Sequence, residues 1–140
     1  MLIHTNDSTM TIGLKENGEP LSVFIIDDSE AMVKIIARTL DSFGVKHIGS
    51  ANDGNSAIEQ LRILPEPVDL ICLDITMPIK DGLSALPEIK VIQPKAKILM
   101  ATALGDKKRV MQALQLGADY YVVKPFKKET LYAVLRKLFS

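Results

Sequence analysis

Between residues 22 and 123 of this chain of 140 residues, short apolar runs recur that do not alternate with polar residues. A strand that is apolar at successive positions buries both faces, which calls for a parallel sheet covered by helices on either side. Strong runs occupy positions 22–26, 68–73, 97–101 and 120–123, and a weaker one occupies 46–51. Helical periods lie between them. Met32, Ile35, Ile36, Leu40 and Phe43 follow one face of a helix, with Ser29 as its N-cap and Gly44 as its C-cap. Ala57, Ile58 and Leu61 mark a second helix, starting near Asp53 and stopping before Pro65. A third follows Gly82 through Leu83, Leu86, Ile89 and Ile92 and stops before Pro94, with Pro87 placed to disturb its early ladder. Val110, Met111, Leu114 and Leu116 mark a fourth, ended by Gly117, and the last runs from Lys128 through Leu131, Val134, Leu135 and Leu138. Five strand–helix repeats with short connections predict an α/β doubly wound sheet.

Composition narrows the function classes. Lys plus Arg and Asp plus Glu are 17 each, so a broadly basic surface for direct nucleic-acid binding is not expected. No apolar stretch approaches the ~18 residues a membrane span needs, and Met1 to Met10 lack the pattern of a secretory signal. With Cys72 alone there is no internal disulfide, and a cytoplasmic location is expected. His4 and His47 have no ligand-like spacing, which argues against a His- or Cys-based metal site. Cys72, mid-strand, reads as an inert small hydrophobe. Residues 1–20 are polar and read as an arm or linker, a flexible terminus before a single domain at 21–140. Asn17-Gly18 is a competing hairpin signal within that arm.

In a doubly wound sheet the ligand site lies beyond the carboxyl ends of the strands. The first strand ends in Asp27-Asp28, the third in Asp74, the fourth in Thr102 and the fifth in Lys124. Clustered carboxylates repel one another strongly at low effective dielectric. They stay ionised when a hard cation joins them, and a small site with few protein oxygens suits Mg²⁺ better than Ca²⁺. A carboxylate beside such an ion and an ammonium is placed to accept a phosphoryl group.

The motifs FIIDDS at 24–29, LDITMPIKDG at 73–82, MATA at 100–103 and GADYYVVKPF at 117–126 resemble those of the receiver domain of two-component response regulators, the CheY-like family. The resemblance covers the chain from about Leu21 to its end. It implies a flavodoxin-like sheet of order 2-1-3-4-5. It also implies that Asp74 is the phosphoacceptor, that Asp28 is a direct Mg²⁺ ligand and that Asp27 acts mainly through water. The backbone carbonyl of Thr76 is a further ligand on this reading. Lys124 pairs with the acceptor and then the phosphoryl group, Thr102 moves toward that group, and Tyr121 turns inward after it. The peptide before Pro125 is often cis in the family. Thr76 and Leu104 flank the path of the hydrolytic water, and neither would orient it, so a slowly hydrolysing phosphoryl group is expected.

The resemblance further implies a signalling domain rather than an enzyme. Its partners are a sensor histidine kinase or histidine phosphotransfer protein as donor and a separate output protein on the face of helix 4, strand 5 and helix 5. Tyr120 and Val134 stand where dimerising relatives commonly carry Asp and Arg, so a monomer is expected. The chain stops just after the last helix, so it reads either as a single-domain regulator, the expected case, or as an excised receiver. Asp106-Lys107-Lys108-Arg109 reads as a solvated helix start. A haloacid-dehalogenase-like phosphatase would need a second carboxylate at position 76, which is Thr. A flavin or nucleotide binder would need a phosphate-receiving loop where Asp27-Asp28-Ser29-Glu30 stands. A receiver-like scaffold that is never phosphorylated would be missing an acid or the lysine, and all are present.

Overall fold

The computed structural model describes residues 11, 12, 15, 17–77 and 79–140. Among the described residues the elements alternate: β1 (Ser22–Ile26), α1 (Glu30–Ser42), β2 (Lys46–Ala51), α2 (Gly54–Ile63), β3 (Leu70–Asp74), α3 (Gly82–Ile92), β4 (Lys97–Ala103), α4 (Lys107–Gln115), β5 (Tyr120–Lys124) and α5 (Lys128–Leu138). The strands form one sheet in the order β2-β1-β3-β4-β5, and every pairing is parallel. The strand order reverses between β1 and β3, so the crevice expected for a ligand opens beyond Ile26 and Asp74.

Alternate residues of the central strands feed two separate cores. Phe24, Ile26, Ile71, Leu73, Ile98 and Met100 face α2, α3 and α4. Val23, Ile25, Leu70, Cys72, Leu99 and Ala101 face α1 and α5. All five residues of β1 and of β3 are buried, which is what their unbroken apolar runs demand. The helix starts follow their caps. The Ser29 hydroxyl accepts from the Met32 N–H, and the Asp53 and Asp81 carboxylates accept from the N–H groups of Ser56 and Ser84. Gly44, just past α1, takes φ +87°, a conformation that closes a helix at little cost only for glycine. Among the described residues no helix is long and apolar enough to cross a membrane.

Several sequence expectations shift. β3 starts at Leu70 rather than 68, because the Val68 N–H bonds the Gln93 side chain and Asp69 turns to Ser22. β5 is an edge strand whose Tyr120 and Tyr121 are exposed, so its apolar run is not covered on both faces. Ile35, Met111 and Leu116 lie on the solvent sides of their segments. Pro87 stays within a continuous α3. The described part of the arm is not loose. Ile12 is buried in the α1/α5 core and its N–H donates to the Phe43 carbonyl. Lys15 and Glu19 close a turn through Gly18. Residues 1–10, Gly13, Leu14, Glu16 and Pro78 lie outside the described residues, and with them His4 and part of the segment that precedes Asn17-Gly18.

Candidate functional site

Asp27 and Asp28 follow β1 directly, Asp74 is the last residue of β3, and Lys124 is the last residue of β5. Parallel registration carries these ends to the same rim. Ile26 pairs with Leu73, Asp74 with Ala101, and Ala103 with Lys124. Carboxylate oxygens of Asp27, Asp28 and Asp74 lie within 4.8 Å of one another. The Lys124 ammonium stands 3.2 Å from Asp27 Oδ2 and 3.2 Å from Asp74 Oδ1. Asp27 Oδ1 accepts from the Ser29 N–H at 2.9 Å, which fixes the carboxylate at the start of α1. Asp27 and Asp74 are buried, whereas Asp28 is exposed at the mouth.

One ammonium does not neutralise three acids. Burial, and then the Asp27 charge, push the Asp74 carboxyl up to about 6 against the pull of Lys124. Burial alone would lower Lys124, but Asp74 and Asp27 outweigh it and hold the ammonium above the usual lysine range. The donor set is all oxygen, converging and under-compensated, which fits a hard divalent cation such as Mg²⁺. Burial and then Asp27 push the Cys72 thiol up to about 12, so it stays protonated and inert as expected.

Gly82 explains how α3 approaches so closely. A Cβ there would lie 2.2 Å from the Asp74 carbonyl oxygen, so any side chain would force β3 and α3 apart. The Gly82 N–H instead bonds the Ile75 carbonyl at 2.9 Å.

Thr102 is buried at the end of β4, but its hydroxyl donates to the Ala103 carbonyl at 3.4 Å rather than to the acids. Tyr121 is exposed on the edge strand β5, its ring centroid 5.3 Å from that of Tyr120. A cavity of about 310 Å³ lies between them, lined by Thr102, Leu104, Val110, Met111 and Tyr121. Leu104 is exposed. The Lys124–Pro125 peptide is cis.

Arg109 departs from its reading as a solvated residue. Its guanidinium donates to Thr76 Oγ1 at 2.8 Å and to the Ile75 carbonyl at 3.3 Å, and reaches Asp81 Oδ2 at 3.5 Å. The sequence signal was the run Lys107-Lys108-Arg109 at a helix start, where positive charge is unfavourable without a local reason.

The sequence matches the family model of the response regulator receiver domain over residues 23–136. It is 38% identical over 125 residues to the chemotaxis protein CheY of Treponema pallidum, covering 89% of this chain and 87% of that protein. To the chemotaxis protein CheY of Bacillus subtilis it is 36% identical over 118 residues, covering 84% and 97%. A chain in the crystal structure of the CheX–CheY–BeF3–Mg²⁺ complex from Borrelia burgdorferi matches with a TM-score of 0.83 at 32% identity, covering 89% of this chain and 93% of that one.

Proposed function

The chain belongs to the response regulator receiver family, and from that premise we propose that Asp74 accepts a phosphoryl group and thereby switches the binding of a separate partner. The observation that carries the reading is the Lys124 ammonium held 3.2 Å from both Asp27 and Asp74 in a cluster of three converging carboxylates. Asp27, Asp28, Asp74 and the Thr76 carbonyl would hold Mg²⁺, which supplies charge neutralisation for the transferring group. A carboxylate oxygen of Asp74 attacks phosphorus. The bond from phosphorus to the donor's imidazole nitrogen breaks with its electron pair staying on nitrogen, leaving an acyl phosphate on Asp74. Lys124 then turns its donors from the two carboxylates to the phosphoryl oxygens. Thr102 exchanges its long bond to the Ala103 carbonyl for a phosphoryl oxygen, and Tyr121 follows into the apolar cavity beside it. The face of α4, β5 and α5 changes shape, and its equilibrium between two forms moves with phosphorylation.

The donor is a histidine kinase or histidine phosphotransfer protein, and the output protein binds that α4–β5–α5 face, where Tyr120, Tyr121 and Met111 are exposed. The protein acts as a cytoplasmic monomer, with neither Tyr120 nor Val134 able to form the ionic pairs of a dimer. Acetyl or carbamoyl phosphate with Mg²⁺ should label the wild type at one site by intact mass. Asp74→Asn should abolish the label, and full labelling of that variant overturns the assignment. Capture with and without beryllofluoride plus Mg²⁺ should then show partners gained or lost.

A further inference from the structure

The start of α4 is poorly supported by its own residues. Its N-cap Asp106 makes no side-chain capping bond. Its first turn carries Lys107, Lys108 and Arg109 against the positive end of the helix dipole. The contacts across from it are better. Arg109 Nη1 bonds the Thr76 hydroxyl at 2.8 Å, and Nη2 bonds the Ile75 carbonyl at 3.3 Å and reaches Asp81 at 3.5 Å. Asp106 Oδ2 stands 3.7 Å from the same guanidinium. Thr76 and Ile75 are the two residues that follow Asp74, and Asp81 caps α3. A single planar fork therefore spans the acceptor loop, the start of α3 and the start of α4, a geometry that arginine supplies and lysine does not.

We propose that Arg109 is a positioning residue for phosphoryl turnover, a latch that holds the loop after Asp74 against the first turn of α4. While it is closed, the Thr76 side chain and the carbonyl that follows Asp74 stay fixed, and water reaches the acceptor only past a held loop. When it opens, the loop loosens and the uncapped first turn of α4 loses its outside support. Acceptor chemistry and the mobility of α4 are thus joined through one side chain. The lifetime part of this inference rests on the phosphoacceptor reading, whereas the tethering of α4 does not.

The test uses Arg109→Gln, Arg109→Lys, Thr76→Val and the double variant Arg109→Gln/Thr76→Val. In the unphosphorylated protein without Mg²⁺, Arg109→Gln should speed amide hydrogen exchange at residues 110–113 by about tenfold, with exchange in β1 and β3 unchanged. Arg109→Lys, which keeps the charge and loses the fork, should not restore protection. After labelling with acetyl phosphate and removal of the donor, Arg109→Gln and Thr76→Val should each shorten the acyl phosphate lifetime by about threefold to tenfold, and the double variant should fall no further than Arg109→Gln alone. Unchanged exchange at residues 110–113, full rescue by lysine, or lifetime effects that multiply would each overturn the latch. Changed exchange in a protein that still labels as Asp74→Asn would leave the latch in place and remove the acceptor assignment instead.

Discussion

Aspartates stand at both ends of the sheet, and the two ends treat them oppositely. At the amino-terminal end, Asp69 receives the Ser22 N–H at 2.8 Å, the Ser22 hydroxyl at 3.1 Å and the Lys15 ammonium at 3.3 Å. Asp119, ahead of β5, receives the Ile98 N–H at 2.8 Å. These carboxylates tie strand starts together and are satisfied by the fold itself. At the carboxyl-terminal end, at the far end of the strand that Asp69 precedes, Asp74 shares one ammonium with Asp27 and faces Asp28 as well. The difference is one of donors. An acid surrounded by fixed N–H groups is a structural joint, whereas an acid surrounded by other acids is a place for an incoming cation and a phosphoryl group.

Exchanging the two acids sharpens that contrast most. Asp74→Asn should lose all acetyl phosphate labelling while remaining folded. Asp69→Ala should label at the wild-type rate but lose about 1.5–3 kcal/mol in urea unfolding, since backbone and hydroxyl donors would be left without their charged acceptor. Next in size is Lys124→Met, which should slow labelling on the order of 100-fold by removing the ammonium that meets charge on the transferring group. A rate within threefold of wild type would place the ammonium outside the reaction.

The strands, the helix starts and the rim residues were legible because unbroken apolar runs and caps are local signals, whereas the strand order came only from the family resemblance. The fully buried β1 and β3, and the capping bonds that Ser29 and Asp53 accept, are what those signals describe. The exposure of Tyr120 and Tyr121 on β5 was not legible in the run itself, because Tyr120-Tyr121-Val122-Val123 reads alike whether one face or two are covered. Ile12 was hidden for a related reason. One apolar residue in a polar arm has no period, and its burial depends on the end of α1 reaching back to it. Arg109 was hidden deepest. Its partners are set by the loop after Asp74, in which Ile79 takes φ +68°, a conformation that no local rule assigns to a β-branched residue.

Two smaller effects refine the comparison. Leu104→Glu should speed loss of the phosphoryl group by about tenfold, by giving the hydrolytic water an acceptor beside the acid. An unchanged decay rate would show that solvent reaches the site elsewhere. The smallest effect is thermal. With its folded-state pKa raised to about 6 from an ordinary 3.8, Asp74 binds its proton more tightly in the fold than in the unfolded chain. The stability this gives is complete below about pH 4 and is lost as pH rises through 6. In EDTA, Asp74→Asn should therefore melt a few degrees above wild type at pH 7.5, and the gap should close toward pH 4. A gap that widened on acidification would reverse the electrostatic account.

The sharpest test of the carboxyl-terminal rim is a calorimetric titration with Mg²⁺ at pH 7.5. Wild type should give saturable binding at one site in the millimolar range, Asp28→Asn should weaken it severely, and Asp69→Asn should leave it intact. Absence of Mg²⁺ binding by the wild type, or equal binding by Asp28→Asn, would contradict the assignment of these three acids to a single cation.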